Sequence, residues 1–143
     1  MLKGIPTILS PELLKVLMEM GHGDEIVIAD GNYPAASNAK NLVRCDGHGV
    51  PELLDAILSL FPLDSFVSCP VTLMDIPSGS DQPPIWATYQ KIVDKHEPDC
   101  NGIERVERFA FYERGKAAYA IVATGESAIY ANIILKKGVI AAK

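Results

Sequence analysis

A chain of 143 residues with a net charge of −5 is long enough to bury a core as one domain, 1–143, without disulfides or a structural metal. Its scattered lysines and arginines give no basic face, so nucleic acid is not an expected partner. Cys45, Cys69 and Cys100 are odd in number and lack CxxC spacing, which suggests neither a disulfide framework nor a zinc knuckle and reads as reduced thiols in a cytoplasmic protein.

Ser10-Pro11-Glu12 supplies a capping residue, a proline at the first helical position and an early acid, and Leu13, Leu14, Leu17 and Met20 follow at helical spacing. Gly21 ends this first helix. An apolar run at Ile26–Ala29 reads as a strand, with Gly21-His22-Gly23-Asp24 before it and Asp30 after it. A second strand is expected at Leu42–Cys45, and a second helix opens at Val50-Pro51-Glu52 with Ile57, Leu58 and Phe61 continuing its apolar face. The Pro-Glu-Leu-Leu shared by both helix starts is read as common helix-start chemistry rather than a duplicated unit. Further strands are expected at Val67–Met74, Ile103–Val106, Tyr119–Ala123 and Ile133–Leu135. A third helix is expected from Pro84 to about Lys95, and a shorter one near Phe109–Arg114. The polar, turn-rich stretch from Ile76 to Pro84 is a surface loop. The alternation predicts an α/β fold, a largely parallel sheet layered with helices. No stretch reaches the length of a membrane span or forms a signal-peptide core, so no membrane partner is expected. A hydrophobic share of 48% hints at apolar surface covered between subunits.

Two titratable groups stand where α/β folds keep their chemistry: His22, flanked by glycines after a helix, and Asp30, just past a strand. Gly-His-Gly also serves as a plain helix exit, and Asp30-Gly31-Asn32 as a plain turn. Half of all the aromatic residues fall between 109 and 130, alongside Arg108 and Asn132. Aromatic faces with such donors suit a sugar, which has C–H patches to stack and hydroxyls to pair. Phe109 and Phe111 are read as core residues instead, and the spacing of Tyr130 and Asn132 aims both to one side of a strand end. The chain has no GxSxG, P-loop or GxGxxG, so acyl transfer, nucleotide hydrolysis and dinucleotide chemistry lose their usual signatures. His22, His48 and His96 are too dispersed to predict a metal site. His48 belongs to a turn before the second helix, and His96 is expected in solvent.

In combination, Gly-His-Gly-Asp at 21–24, Ile-Val-Ile-Ala-Asp at 26–30, Arg-Phe-Ala-Phe-Tyr-Glu-Arg at 108–114, Thr-Gly-Glu at 124–126 and Tyr-Ala-Asn-Ile-Ile-Leu-Lys-Lys-Gly at 130–138 resemble the L-fucose mutarotase and D-ribose pyranase family, over about Leu9 to Val139. Gly-His-Gly-Asp and the run from Arg108 look like the fucose branch, whereas Tyr130-Ala131-Asn132 has a form familiar from the ribose branch. The resemblance implies the α/β fold of that family, a ring-shaped homodecamer built of pentamers with active sites at subunit contacts, and no cofactor. It implies that His22 is the catalytic proton donor, that Asp30, Arg108, Tyr130, Ala131 and Asn132 hold the sugar, and that Tyr119 is a further pocket residue. The activity implied is interconversion of sugar anomers, an isomerase reaction, with L-fucose favoured over D-ribose. A sugar-binding module without turnover is the rival from a different class.

Overall fold

A computed structural model of the chain describes residues 1–142. Six strands form one sheet in the order β2-β5-β1-β6-β3-β4, where β1 is Glu25–Ala29, β2 Leu42–Cys45, β3 Val71–Met74, β4 Ile103–Val106, β5 Ala120–Thr124 and β6 Ile133–Lys136. β1, β2 and β5 run parallel to one another, as do β3 and β4. The two parallel sets are joined by β6, which runs antiparallel to both β1 and β3. The expected largely parallel sheet therefore holds for the two sets, but its central seam is antiparallel. No helix separates β5 from β6, and a parallel return generally needs a crossover of about a dozen residues or more.

Helix α1 (Pro11–Glu19) begins where Ser10 accepts the Leu13 N–H at 3.2 Å. At α3 (Val50–Leu58) the capping group is the Glu52 carboxylate, which takes the Gly49 N–H at 2.9 Å. α1, α3 and α4 (Ile85–His96) bury Leu13, Leu53, Leu54, Ile57, Tyr89 and their neighbours against one face of the sheet. A smaller core on the other face, built on Val27, Ile121 and Ile134, is covered by α2 (Ala35–Asn38) and α5 (Arg108–Ala117). Among the described residues no helix is long and apolar enough to cross a membrane.

Several sequence expectations need correction. β3 begins only at Val71, because the proline at 70 cannot donate to a ladder. α5 runs longer than expected and faces in two directions: Phe111 is buried, but Phe109 is 61% exposed, beneath the Arg108 guanidinium at 4.7 Å from its ring centre. Two residues apart on a helix project to different sides, so both phenylalanines cannot enter one core. His96 is not in open solvent, since its Nε2 meets Asp55 Oδ1 at 2.7 Å and its side chain is mostly covered. His48 does sit in the turn before α3, hydrogen-bonded to Glu52 at 3.1 Å. The short helix α2 carries too few residues to show a period.

Candidate active site

Sequence order and strand direction sort the singled-out residues to two opposite ends of the sheet. At the carboxyl ends of β1 and β4, where open α/β sheets place their ligands, lie Asp30 and Arg108. Because β6 is antiparallel, its entry segment Tyr130-Ala131-Asn132 arrives at this same end. A cleft of about 150 Å³ opens there, lined by Asp30, Asn32, Arg108, Tyr112, Tyr130 and Asn132 among others.

The cleft is held by an interlocked set of hydrogen bonds. Asn132 Oδ1 accepts the Asp30 backbone N–H at 2.7 Å, and the Asp30 carboxylate accepts from the N–H of Asn32 at 3.0 Å and of Ala131 at 3.3 Å. Asp30 is 5% exposed. Burial pushes its carboxyl above the usual range, and those backbone donors pull the other way. The Thr124-Gly125-Glu126 segment braces the turn, with Gly31 donating to the Glu126 carbonyl at 2.9 Å and Thr124 Oγ1 donating to Ala29 O at 2.7 Å.

Tyr130 holds a left-handed backbone, φ 53°, which is uphill for a tyrosine and persists only when neighbours over-determine it. Trp86 Nε1 donates to Tyr130 O at 2.8 Å, and the fully buried Tyr89 hydroxyl donates to Ala131 O at 2.7 Å. Arg108 is the first residue of α5, whose opening N–H groups at 109 and 110 are taken by the Glu107 carboxylate at 2.9 and 3.1 Å. Its guanidinium is left exposed at the cleft edge.

His22 and Tyr119 are elsewhere. Both precede their strands, so they stand at the amino ends of β1 and β5, where the Tyr119 N–H donates to Glu25 O at 2.8 Å. At 3.3 Å per residue the path from Glu25 to Asp30 alone is about 17 Å. Within a single copy, His22 and Tyr119 therefore stand apart from the Asp30 cleft. His22 Nε2 lies 3.1 Å from Oδ1 of the buried Asp64, and its ring packs 5.4 Å from Phe66. Its side chain is nonetheless 46% exposed. The Phe66 N–H and the His22 imidazole keep the Asp64 carboxyl below the usual range. Tyr119 points to Glu19, its hydroxyl donating to Oε2 at 2.8 Å.

Asp64, Phe66, Tyr33 and Tyr112 escaped the sequence reading. An acid in the apolar setting of Pro62-Leu63-Asp64 was a signal for the first of these. Among the described residues no group of three or more His, Cys, Asp or Glu side chains is gathered to hold a metal ion.

Residues 3–140 match the RbsD / FucU transport protein family. The chain is 49% identical to the fucose mutarotase of Homo sapiens, covering 98% of this chain and 95% of that one. It superposes with a TM-score of 0.94, at 59% identity, on the fucose mutarotase from Streptococcus pneumoniae solved in complex with L-fucose, covering 98% of this chain and 100% of the other. Bacillus subtilis RbsD complexed with D-ribose has the same fold, with a TM-score of 0.72 at 24% identity over 93% of this chain and 95% of its own.

Proposed function

The chain belongs to the RbsD / FucU transport protein family, and we propose that it is an isomerase that interconverts the α and β anomers of L-fucose. Full-length similarity to proteins named for that reaction supports the reading, as does a relative solved with L-fucose bound. The observation that carries it is an exposed imidazole braced by a buried carboxylate at one end of the sheet and, at the other, a small cleft whose Asp30, Arg108, Tyr130 and Asn132 side chains suit sugar hydroxyls.

Anomer exchange removes the proton from the anomeric hydroxyl and delivers one to the ring oxygen. The bond from C1 to the ring oxygen breaks, the aldehyde turns, and the hydroxyl re-adds to its other face. Asp64 occupies Nε2 of His22, leaving Nδ1 to receive and return that proton. Asp30, Arg108 and Asn132 supply fixed partners for sugar hydroxyls, Tyr130 an aromatic wall, and Arg108 a cation for charge developing on the anomeric oxygen. Tyr119 stands on the His22 side.

Because His22 and the cleft lie at opposite ends of one copy, a complete site requires two, with His22 of one facing the cleft of the next. Apolar residues left exposed at both ends support this: Phe66, 74% exposed, beside His22, and Ile129, 65% exposed, beside the cleft. A closed ring satisfies such a head-to-tail contact, and a homodecamer of two five-membered rings is the assembly we assign. The free thiols Cys45, Cys69 and Cys100 suit a cytoplasmic location.

Saturation-transfer NMR on L-fucose, D-ribose and D-galactose tests the activity. The expected result is exchange between the anomers of L-fucose far above the buffer rate, abolished by His22→Ala in a folded protein. Binding of L-fucose without faster exchange identifies a sugar-binding module instead, and preferential exchange of D-ribose a pyranase.

A further inference from the structure

The turn that carries Asp30 ends in a side chain used as a peg. Tyr33 donates its N–H to the Asp30 carbonyl at 3.2 Å, and its ring then runs under the cleft. That ring stands edge-on to Phe111 at 6.0 Å and tilts against Tyr112 at 5.4 Å. Tyr33 and Tyr112 both line the cleft. The far end of Tyr33 enters α5 at Gly115, which is buried.

A methyl group at Gly115 would overlap the Tyr33 hydroxyl oxygen, yet would meet the ring carbon Cζ at 3.4 Å and Val27 Cγ2 at 3.8 Å, which are ordinary contacts. The backbone at Gly115 is not in the left-handed region, so conformational freedom does not account for the glycine. In a helix it is a weaker former than alanine. Space for one oxygen atom is what it contributes. The hydroxyl makes no hydrogen bond of good geometry among the described residues, with the Asn38 side chain as a polar neighbour, so that space serves chiefly the depth of the ring.

We propose that Gly115 is a positioning residue of the sugar site: its missing side chain sets how deeply Tyr33 seats, and thereby where the Asp30 turn and the Tyr112 wall stand. The proposal rests on the L-fucose reading above for its substrate, and on packing alone for its mechanism. In Gly115→Ala the phenol is driven out by its oxygen, carrying the Asp30 carbonyl at one end of the turn and Tyr112 beside it. In Tyr33→Phe the offending oxygen is absent and the alanine fits.

A double-mutant cycle tests it, comparing wild type, Gly115→Ala, Tyr33→Phe and the double variant, each by kcat and KM for L-fucose exchange and by Tm at one protomer concentration. Residues in contact couple. Gly115→Ala is expected to raise KM about fivefold or more when Tyr33 is present and less than about twofold when Phe replaces it, with the Tm loss shrinking in parallel. The change falls chiefly on KM because the Asp30 turn and Tyr112 belong to the cleft that holds the sugar, while the proton carrier His22 comes from the neighbouring copy. Equal KM losses in both backgrounds overturn the proposal, as does coupling in Tm with KM unmoved, which leaves only packing. Should Gly115→Ala not fold alone, a double variant that folds and exchanges L-fucose like Tyr33→Phe supports the proposal, and one that also fails to fold overturns it. A wild-type protein that leaves L-fucose at the buffer rate refutes the activity, and the role toward sugar with it. The Tm cycle then separately decides whether Gly115 seats Tyr33.

Discussion

Tyr89→Phe removes one oxygen from the support of the cleft and nothing else. The Tyr89 hydroxyl donates to Ala131 O at 2.7 Å, and both residues are 0% exposed, so the substitution leaves a carbonyl unpaired where bulk water does not reach. The ring stays and no sizeable cavity opens, which confines the cost to the unsatisfied acceptor, about 1–3 kcal/mol. For a domain of this length that corresponds to a fall in Tm of roughly 3–9 °C. The functional effect follows from the neighbour, since Tyr130 is held at φ 53°, a strain of about 1–3 kcal/mol that its anchors must oppose. With Trp86 left as the remaining side-chain donor to the carbonyls at 130 and 131, the segment relaxes and KM for L-fucose rises several-fold. Thermal unfolding must be compared at one protomer concentration, because assembly stabilises by mass action, and KM is read from NMR exchange. A variant whose Tm stays within about 1 °C of wild type, with KM unchanged, refutes the anchoring argument.

Arg108→His replaces a planar cation able to donate to two hydroxyls at once with a single ring donor. It is expected to weaken L-fucose exchange more than D-ribose exchange, shifting the preference by about tenfold; an equal loss for both sugars, measured on the same NMR panel, removes Arg108 from sugar choice. Asp64 has a folded-state pKa below its ordinary value of 3.8, chiefly through the Phe66 N–H and then through His22, so its contribution to stability is present above that pH and is lost as pH falls through the depressed value. The difference in unfolding free energy between wild type and Asp64→Asn should therefore shrink as pH drops below 3.8 in denaturant titrations, and a difference that does not vary with pH contradicts the assignment.

Much of the fold was legible because its signals are local. Leu42–Cys45 and Ile103–Val106 are short apolar-bearing runs bounded by turn residues, and α1 and α4 show helical spacing over whole turns. α5 was only partly legible, since its buried residues are Phe111 and Gly115, and a glycine that makes room for another side chain does not register as an apolar position. The antiparallel course of β6 was open to inference from the short helix-free connection after Thr124, because the connection constrains direction where composition does not. In the site, Asp30, Arg108, Tyr130 and Asn132 meet because strand ends meet. The separation of His22 from Asp30 was implicit in the length of β1, but a motif reading collapses residues close in sequence into one place. Asp64 and Tyr33 act through burial and contact, which sequence spacing does not encode.

The central claim is that catalysis uses His22 of one copy and the Asp30 cleft of another. His22→Ala and Asp30→Asn variants, each inactive alone, are to be co-expressed with distinct tags, purified as mixed assemblies, and measured for L-fucose anomer exchange. In a randomly mixed assembly of equal amounts, about one site in four joins an intact His22 to an intact cleft, so exchange should return to roughly a quarter of the wild-type rate. Mixed assemblies as inactive as either parent would contradict a site shared between copies.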